Sequence, residues 1–209
     1  LAVFSRLGLK LESKYQNSNY QPQIMEQLEA SLYEPALERL KLKNPELYTH
    51  IQNRVVGYYL ASEISMRSAA VIIPHPEEEG KFLFSLDEPL KKLFTQLTPE
   101  AIELIMYLLL VHEAKELSIR DGQTIYTDIN SELVSFLIKA KAYYSLTQEE
   151  RSILRKAAQT LDTIEKRQIP RFLPVISFLD NYTDETIRQP ENRKVLLNFL
   201  LQDTRLKIE

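Results

Sequence analysis

The chain has 209 residues, 44% of them hydrophobic, and a formal net charge of −3, which is apolar enough for a packed core and too apolar for a disordered chain. Cysteine is absent and glycine occurs only at 8, 57, 80 and 122. Disulfides, thiolate metal sites, cysteine nucleophiles and glycine-rich phosphate loops are therefore excluded. The most apolar run, Leu104–Val111, is far shorter than the roughly 20 residues that span a bilayer. Leu1–Lys10 lacks the basic start and long apolar run of a secretory signal. No membrane association is expected, and the cytoplasm is the expected location.

In chain order, Ile24, Leu28 and Leu32 predict a helix that is interrupted or restarted at Pro35. Asn44-Pro45-Glu46 puts a capping residue before a proline at the first helical position. Leu47, Ile51, Val55 and Tyr59 then recur every four residues and predict a helix over 45–70. The segment 74–82, with two prolines, three glutamates and a glycine, reads as a mobile surface loop. Thr98-Pro99-Glu100 opens a helix to about Leu117 that is apolar nearly all round, a pattern that belongs in the middle of a bundle. Ser118–Arg120 and Gln123–Thr127 flank Asp121-Gly122, a strong local hairpin signal.

Asn130 or Ser131 caps the next helix, with Leu133, Phe136, Leu137, Ala140 and Tyr144 inward. Thr147-Gln148-Glu149-Glu150 is a capping box that starts a helix to about Arg167, with Ile153, Leu154, Ala157, Leu161 and Ile164 inward. Pro170 and Pro174 interrupt the chain, and a last helix follows Pro190. The expected fold class is mainly α, a helical bundle with one short β-hairpin near 118–127. Its expected parts are an N-terminal helical segment over 1–73, a flexible acidic loop over 74–82, and a C-terminal helical bundle over 83–209. The two helical parts also read as one continuous domain.

His112-Glu113-Ala114-Lys115-Glu116 resembles the metal-binding pattern in which two histidines four apart share a helix face. Here Glu116 stands where the second histidine would be, and no third ligand is evident from His50 or His75. Neither a metal nor a cofactor is expected. Serine, histidine and acids occur without a nucleophile elbow or comparable signature, so no catalytic residue is assigned and the chain is expected not to be an enzyme. A winged helix-turn-helix reading fails as well, because the helix before the hairpin is apolar on every side and cannot lie in a DNA groove.

Charge is distributed unevenly. Residues 1–132 hold 13 Lys/Arg against 19 Asp/Glu, and residues 133–209 hold 13 against 10. From 139 to 171 there are eight Lys/Arg and four Asp/Glu. Arg151 and Arg155 lie one turn apart opposite the apolar stripe of their helix, Lys139 faces away from the stripe of the preceding one, and Lys141, Lys156, Arg167 and Arg171 add charge near helix ends. Basic groups spaced along paired helices can follow a phosphate backbone without reading sequence, with Tyr143 or Tyr144 available to stack a base. The alternative is a solvated face with salt bridges to Glu149, Asp162 and Glu165.

Three stretches give the chain a family likeness: Ile125-Tyr126-Thr127-Asp128 leading into Leu133–Tyr144, the basic helix Arg151–Arg167, and Pro190-Glu191-Asn192-Arg193-Lys194. Over residues 100–209 it resembles the small subunit of a CRISPR Cascade effector complex, of the kind encoded within the C-terminal part of the large subunit's gene. The start at Leu1 fits an internal segment. The resemblance implies a non-enzymatic subunit with a role in antiviral defence, whose partners are the other effector subunits and the guide RNA or target DNA. The alternative is a helical protein-interaction or regulatory module without nucleic-acid binding.

Overall fold

The computed structural model describes residues 23–62, 69–119, 129–164 and 172–204. Within them the chain runs β1 (Gln23–Gln27), α1 (Ala30–Lys43), α2 (Pro45–Arg54), β2 (Val55–Ser62), β3 (Ala70–Pro74), β4 (Phe82–Asp87), α3 (Glu88–Leu93), α4 (Pro99–Ile119), α5 (Ile129–Tyr144), α6 (Gln148–Ile164), α7 (Phe172–Asp180) and α8 (Arg193–Thr204). The protein is thus mostly helical, as expected, with a mixed four-stranded sheet that the sequence reading did not anticipate. The sheet order is β1-β2-β4-β3, with β2 and β4 parallel and both outer pairs antiparallel.

Two helix expectations are corrected by this sheet. The helix expected over 45–70 stops at Arg54, and the chain continues as β2. A four-residue repeat fits one helix face and, being a multiple of two, also fits one strand face. Val55-Val56-Gly57-Tyr58-Tyr59 is rich in β-branched and aromatic residues, which favours the strand. The helix expected from Ile24 is instead β1 up to Gln27, held by pairing with β2, and the helix proper begins at Ala30. Pro35 does not interrupt α1 but lies inside it. It is exposed, as is Ser31 one turn earlier, so the carbonyl that loses its N–H donor can turn to water.

The acidic segment at 74–82 is the turn of the β3–β4 hairpin. Pro74 pairs with Phe82, and the His75 N–H donates to the Lys81 carbonyl at 2.8 Å. His75 Nδ1 accepts from the backbone N–H of Glu77 at 3.3 Å and of Glu78 at 3.0 Å. Gly80 closes the turn at φ +74°, a conformation a side chain would strain. The hairpin expected near 118–127 is only partly open to comparison. Ser118 and Ile119 belong to the last turn of α4, so its first arm is helical there, and 120–128 fall outside the described residues.

Helix α4 is the centre of the molecule. It packs against α1, α2, α5 and α6 and touches β3, which explains why Leu104, Met106, Tyr107, Leu110 and Val111, spread around the helix, are all buried. Tyr33 of α1 stacks on Tyr58 of β2 with ring centroids 4.0 Å apart, and Tyr58 meets Phe84 of β4 at 5.7 Å. That contact ties the helical layer to the sheet. The capping box forms as expected: the Glu150 N–H donates to Thr147 Oγ1 at 3.1 Å and the Thr147 N–H to Glu150 Oε2 at 2.8 Å. α8 begins at Arg193, after a short 3₁₀ turn at Pro190–Asn192.

Candidate functional site

The expected basic face divides into residues that point outward and residues that are engaged. Lys141 and Lys156 are exposed, and Arg151 is half-buried on α6. Arg155 is exposed but paired, its Nε donating to Asp180 Oδ2 of α7 at 3.1 Å. The sequence offered Glu149, Asp162 and Glu165 as salt-bridge partners for this face; the acid that reaches Arg155 is Asp180. Lys139 does not face freely outward. It is half-buried, and its ammonium sits 5.1 Å from the centre of the Phe136 ring. Arg167 and Arg171 fall outside the described residues.

Tyr143 is not free to stack a base, and Tyr144 is half-buried with its hydroxyl engaged. Tyr143 is fully buried and donates its hydroxyl to Asp180 Oδ1 at 2.6 Å, and Tyr144 donates to the Leu179 carbonyl at 3.0 Å. Both hydroxyls have raised pKa values, chiefly through burial. Their role is to anchor α7 on α5. Sequence periodicity marked Tyr144 as inward but gave no sign that Asp180 would gather Tyr143 and Arg155 together.

A second cluster lies between α4 and α5. His112 and Glu116 are four apart on α4 and share a face, and Glu132 meets them from the first turn of α5. His112 Nε2 is 3.5 Å from Glu116 Oε1 and 3.6 Å from Glu132 Oε2. The three side chains are only 12%, 9% and 13% exposed. Burial alone would strip the proton from His112, but the charge of Glu132 outweighs it and holds the imidazole well above its ordinary pKa, with Lys139 opposing. Glu132 is likewise pushed up by burial and pulled further down by the His112 charge, so its carboxyl stays ionised.

The cluster supplies the third group that His112-x-x-x-Glu116 lacked in the sequence. It comes from the next helix, beyond any local spacing rule. One turn on from Glu132, Ser135 is fully buried, and its Oγ has no hydrogen-bond partner among the described residues; His112 Nδ1 is in the same position. Polar groups left this way are costly in a protein interior.

No helix among the described residues is long and apolar enough to cross a membrane. Comparison of the chain with protein-family models, with curated proteins and with solved structures gives no match.

Proposed function

We propose that the chain is a non-enzymatic binding subunit that contacts the backbone of single-stranded nucleic acid through the α5–α6 surface, in the setting of a CRISPR ribonucleoprotein effector complex. The observation that carries this reading is the exposure of Lys141 on α5 and of Arg155 and Lys156 on α6, with Arg151 half-buried one turn before Arg155. The Arg155–Asp180 pair is compatible with it. Their side chains are 48% and 25% exposed, and surface pairs contribute only about 0–1 kcal/mol, so a phosphate can compete with Asp180 for the guanidinium.

The test is anisotropy of a labelled single strand at two salt concentrations. Lys141→Glu combined with Lys156→Glu should weaken binding and flatten the salt dependence by about 1.4, since each phosphate contact to a single strand contributes roughly 0.7 to the slope. Parent and double variant binding equally well would remove the reading.

A second reading rests on β1. All five of its residues are exposed, Ile24 is 40% and Met25 51% exposed, and among the described residues β1 forms an edge of the sheet. An exposed edge strand is a template on which a partner protein can add a strand. A partner that survives nuclease treatment and is lost from Ile24→Lys/Met25→Lys would favour this module over the nucleic-acid reading.

A further inference from the structure

We propose that His112, Glu116 and Glu132 form a binding site for one first-row divalent cation of the zinc class, which clamps α4 to α5. The donor set is one imidazole nitrogen and two carboxylates, with donor atoms all within 4.8 Å of one another. Imidazole with carboxylates suits zinc, or manganese as the harder alternative, better than calcium or magnesium, which take oxygen alone.

The spacing fits an ion as well as it fits long hydrogen bonds between His112 and the two carboxylates. Charge-assisted N–H···O bonds shorten to about 2.7–2.9 Å, whereas His112 Nε2 stands 3.5 and 3.6 Å from the two carboxylates. Ligand atoms arranged tetrahedrally at ~2.0–2.1 Å from zinc are ~3.3–3.4 Å from each other. The two distances from His112 Nε2 are therefore already close to the edges of a coordination tetrahedron, and all three donor atoms lie within 4.8 Å of one another. The buried, unpartnered Ser135 Oγ lies one helical turn from Glu132 on α5. A divalent ion bound at Nε2 would bring two positive charges to a site with two acidic side chains. Lys139 is the cation that opposes this. Its charge acts on both His112 and Glu132, and its ammonium is drawn to the Phe136 ring.

The experiment uses the full chain, stripped with a chelator, dialysed and titrated with zinc chloride alone in a calorimeter. One saturable equivalent is expected, with a melting temperature that rises with zinc concentration. His112→Gln and Glu132→Gln should each weaken binding by more than the ~10–100-fold that losing an outer-sphere partner costs. The chain has three histidines, so His50→Gln/His75→Gln serves as the control and should bind as the parent does. If the His112 variant does not fold, the parent decides: one equivalent of cobalt(II) should give the intense visible bands of a tetrahedral nitrogen–oxygen site, and zinc should bleach them. A parent that takes up neither zinc nor cobalt stoichiometrically overturns the proposal. So does zinc binding that persists in folded His112→Gln or disappears with His50 and His75.

Discussion

Asp180 at the end of α7 holds both Tyr143 and Arg155: Oδ1 accepts from the buried Tyr143 hydroxyl at 2.6 Å and Oδ2 from the Arg155 guanidinium. One carboxylate thus satisfies a core hydroxyl and neutralises a cation on the candidate binding face. Asp180→Ala should cost about 1–3 kcal/mol in urea unfolding, because the Tyr143 hydroxyl is left without an acceptor in the core. The same variant should bind single strands more tightly, since it frees Arg155 and removes a negative charge. Unchanged stability would show that Tyr143 finds another acceptor. Unchanged affinity would detach Arg155 from nucleic-acid contact.

Asp87 closes β4 and is buried. Burial pushes its carboxyl up to about 6, against a smaller pull downward from the Leu90 N–H. An unfolded aspartate titrates near ~3.9. The folded state therefore holds the proton more tightly, and this contribution is complete below about pH 4 and lost as pH rises through about 6. Asp87→Asn keeps a neutral side chain at every pH. It should be as stable as the parent at pH 4 and more stable by up to about 2–3 kcal/mol at pH 8. A gain of equal size at both pH values would place its cause elsewhere than in the buried charge.

What the sequence made legible is local. The Thr147–Glu150 box, the Thr98-Pro99 start and the all-round apolar character of α4 each depend on residues within a few positions, and the structure follows them. The sheet was not legible for two physical reasons. Leu47, Ile51, Val55 and Tyr59 satisfy helix and strand alike. Phe82-Leu83-Phe84-Ser85-Leu86-Asp87 is buried on both faces, so it shows no alternation for a period to detect. The candidate sites were hidden by distance along the chain. Glu132 joins His112 from another helix, and Asp180 reaches Tyr143 from 37 positions away.

Glu150 combines a local and a distant role. It closes the capping box on Thr147, and it accepts from Arg39 Nη1 of α1 at 2.6 Å, while Arg39 Nε reaches Glu103 of α4 at 2.7 Å. Burial raises the Glu150 carboxyl, but the Thr147 N–H and Arg39 outweigh it and the pKa is lowered. Its stabilisation is thus present above the ordinary carboxylate range and lost as pH falls through the depressed folded value. Thr147→Ala should cost about 0.5–2 kcal/mol, the usual loss of a cap. Glu150→Ala should cost more, because it also leaves Arg39 with one partner. Chemical denaturation at pH 7 measures both, and equal losses would mean that the Arg39 contact adds nothing.

Tyr107 offers the cleanest separation of a hydrogen bond from the burial around it. Its ring is fully buried on α4, and its hydroxyl accepts from Asn44 Nδ2, at the junction of α1 and α2, at 2.8 Å. Burial raises the hydroxyl pKa, so it remains neutral. Asn44→Ala should cost about 1–3 kcal/mol, because it strands a buried hydroxyl. Tyr107→Phe removes the hydroxyl and leaves the Asn44 amide, which is only half-buried and can turn to water, so this change should cost about 0.5–1.5 kcal/mol. The double variant leaves no orphan in the core and should be less damaging than the sum of the single changes, with a coupling of roughly 0.5–3 kcal/mol. Additive losses in the double-mutant cycle would show that the pair acts through packing at the α1–α2 junction and that the hydrogen bond contributes no stability of its own.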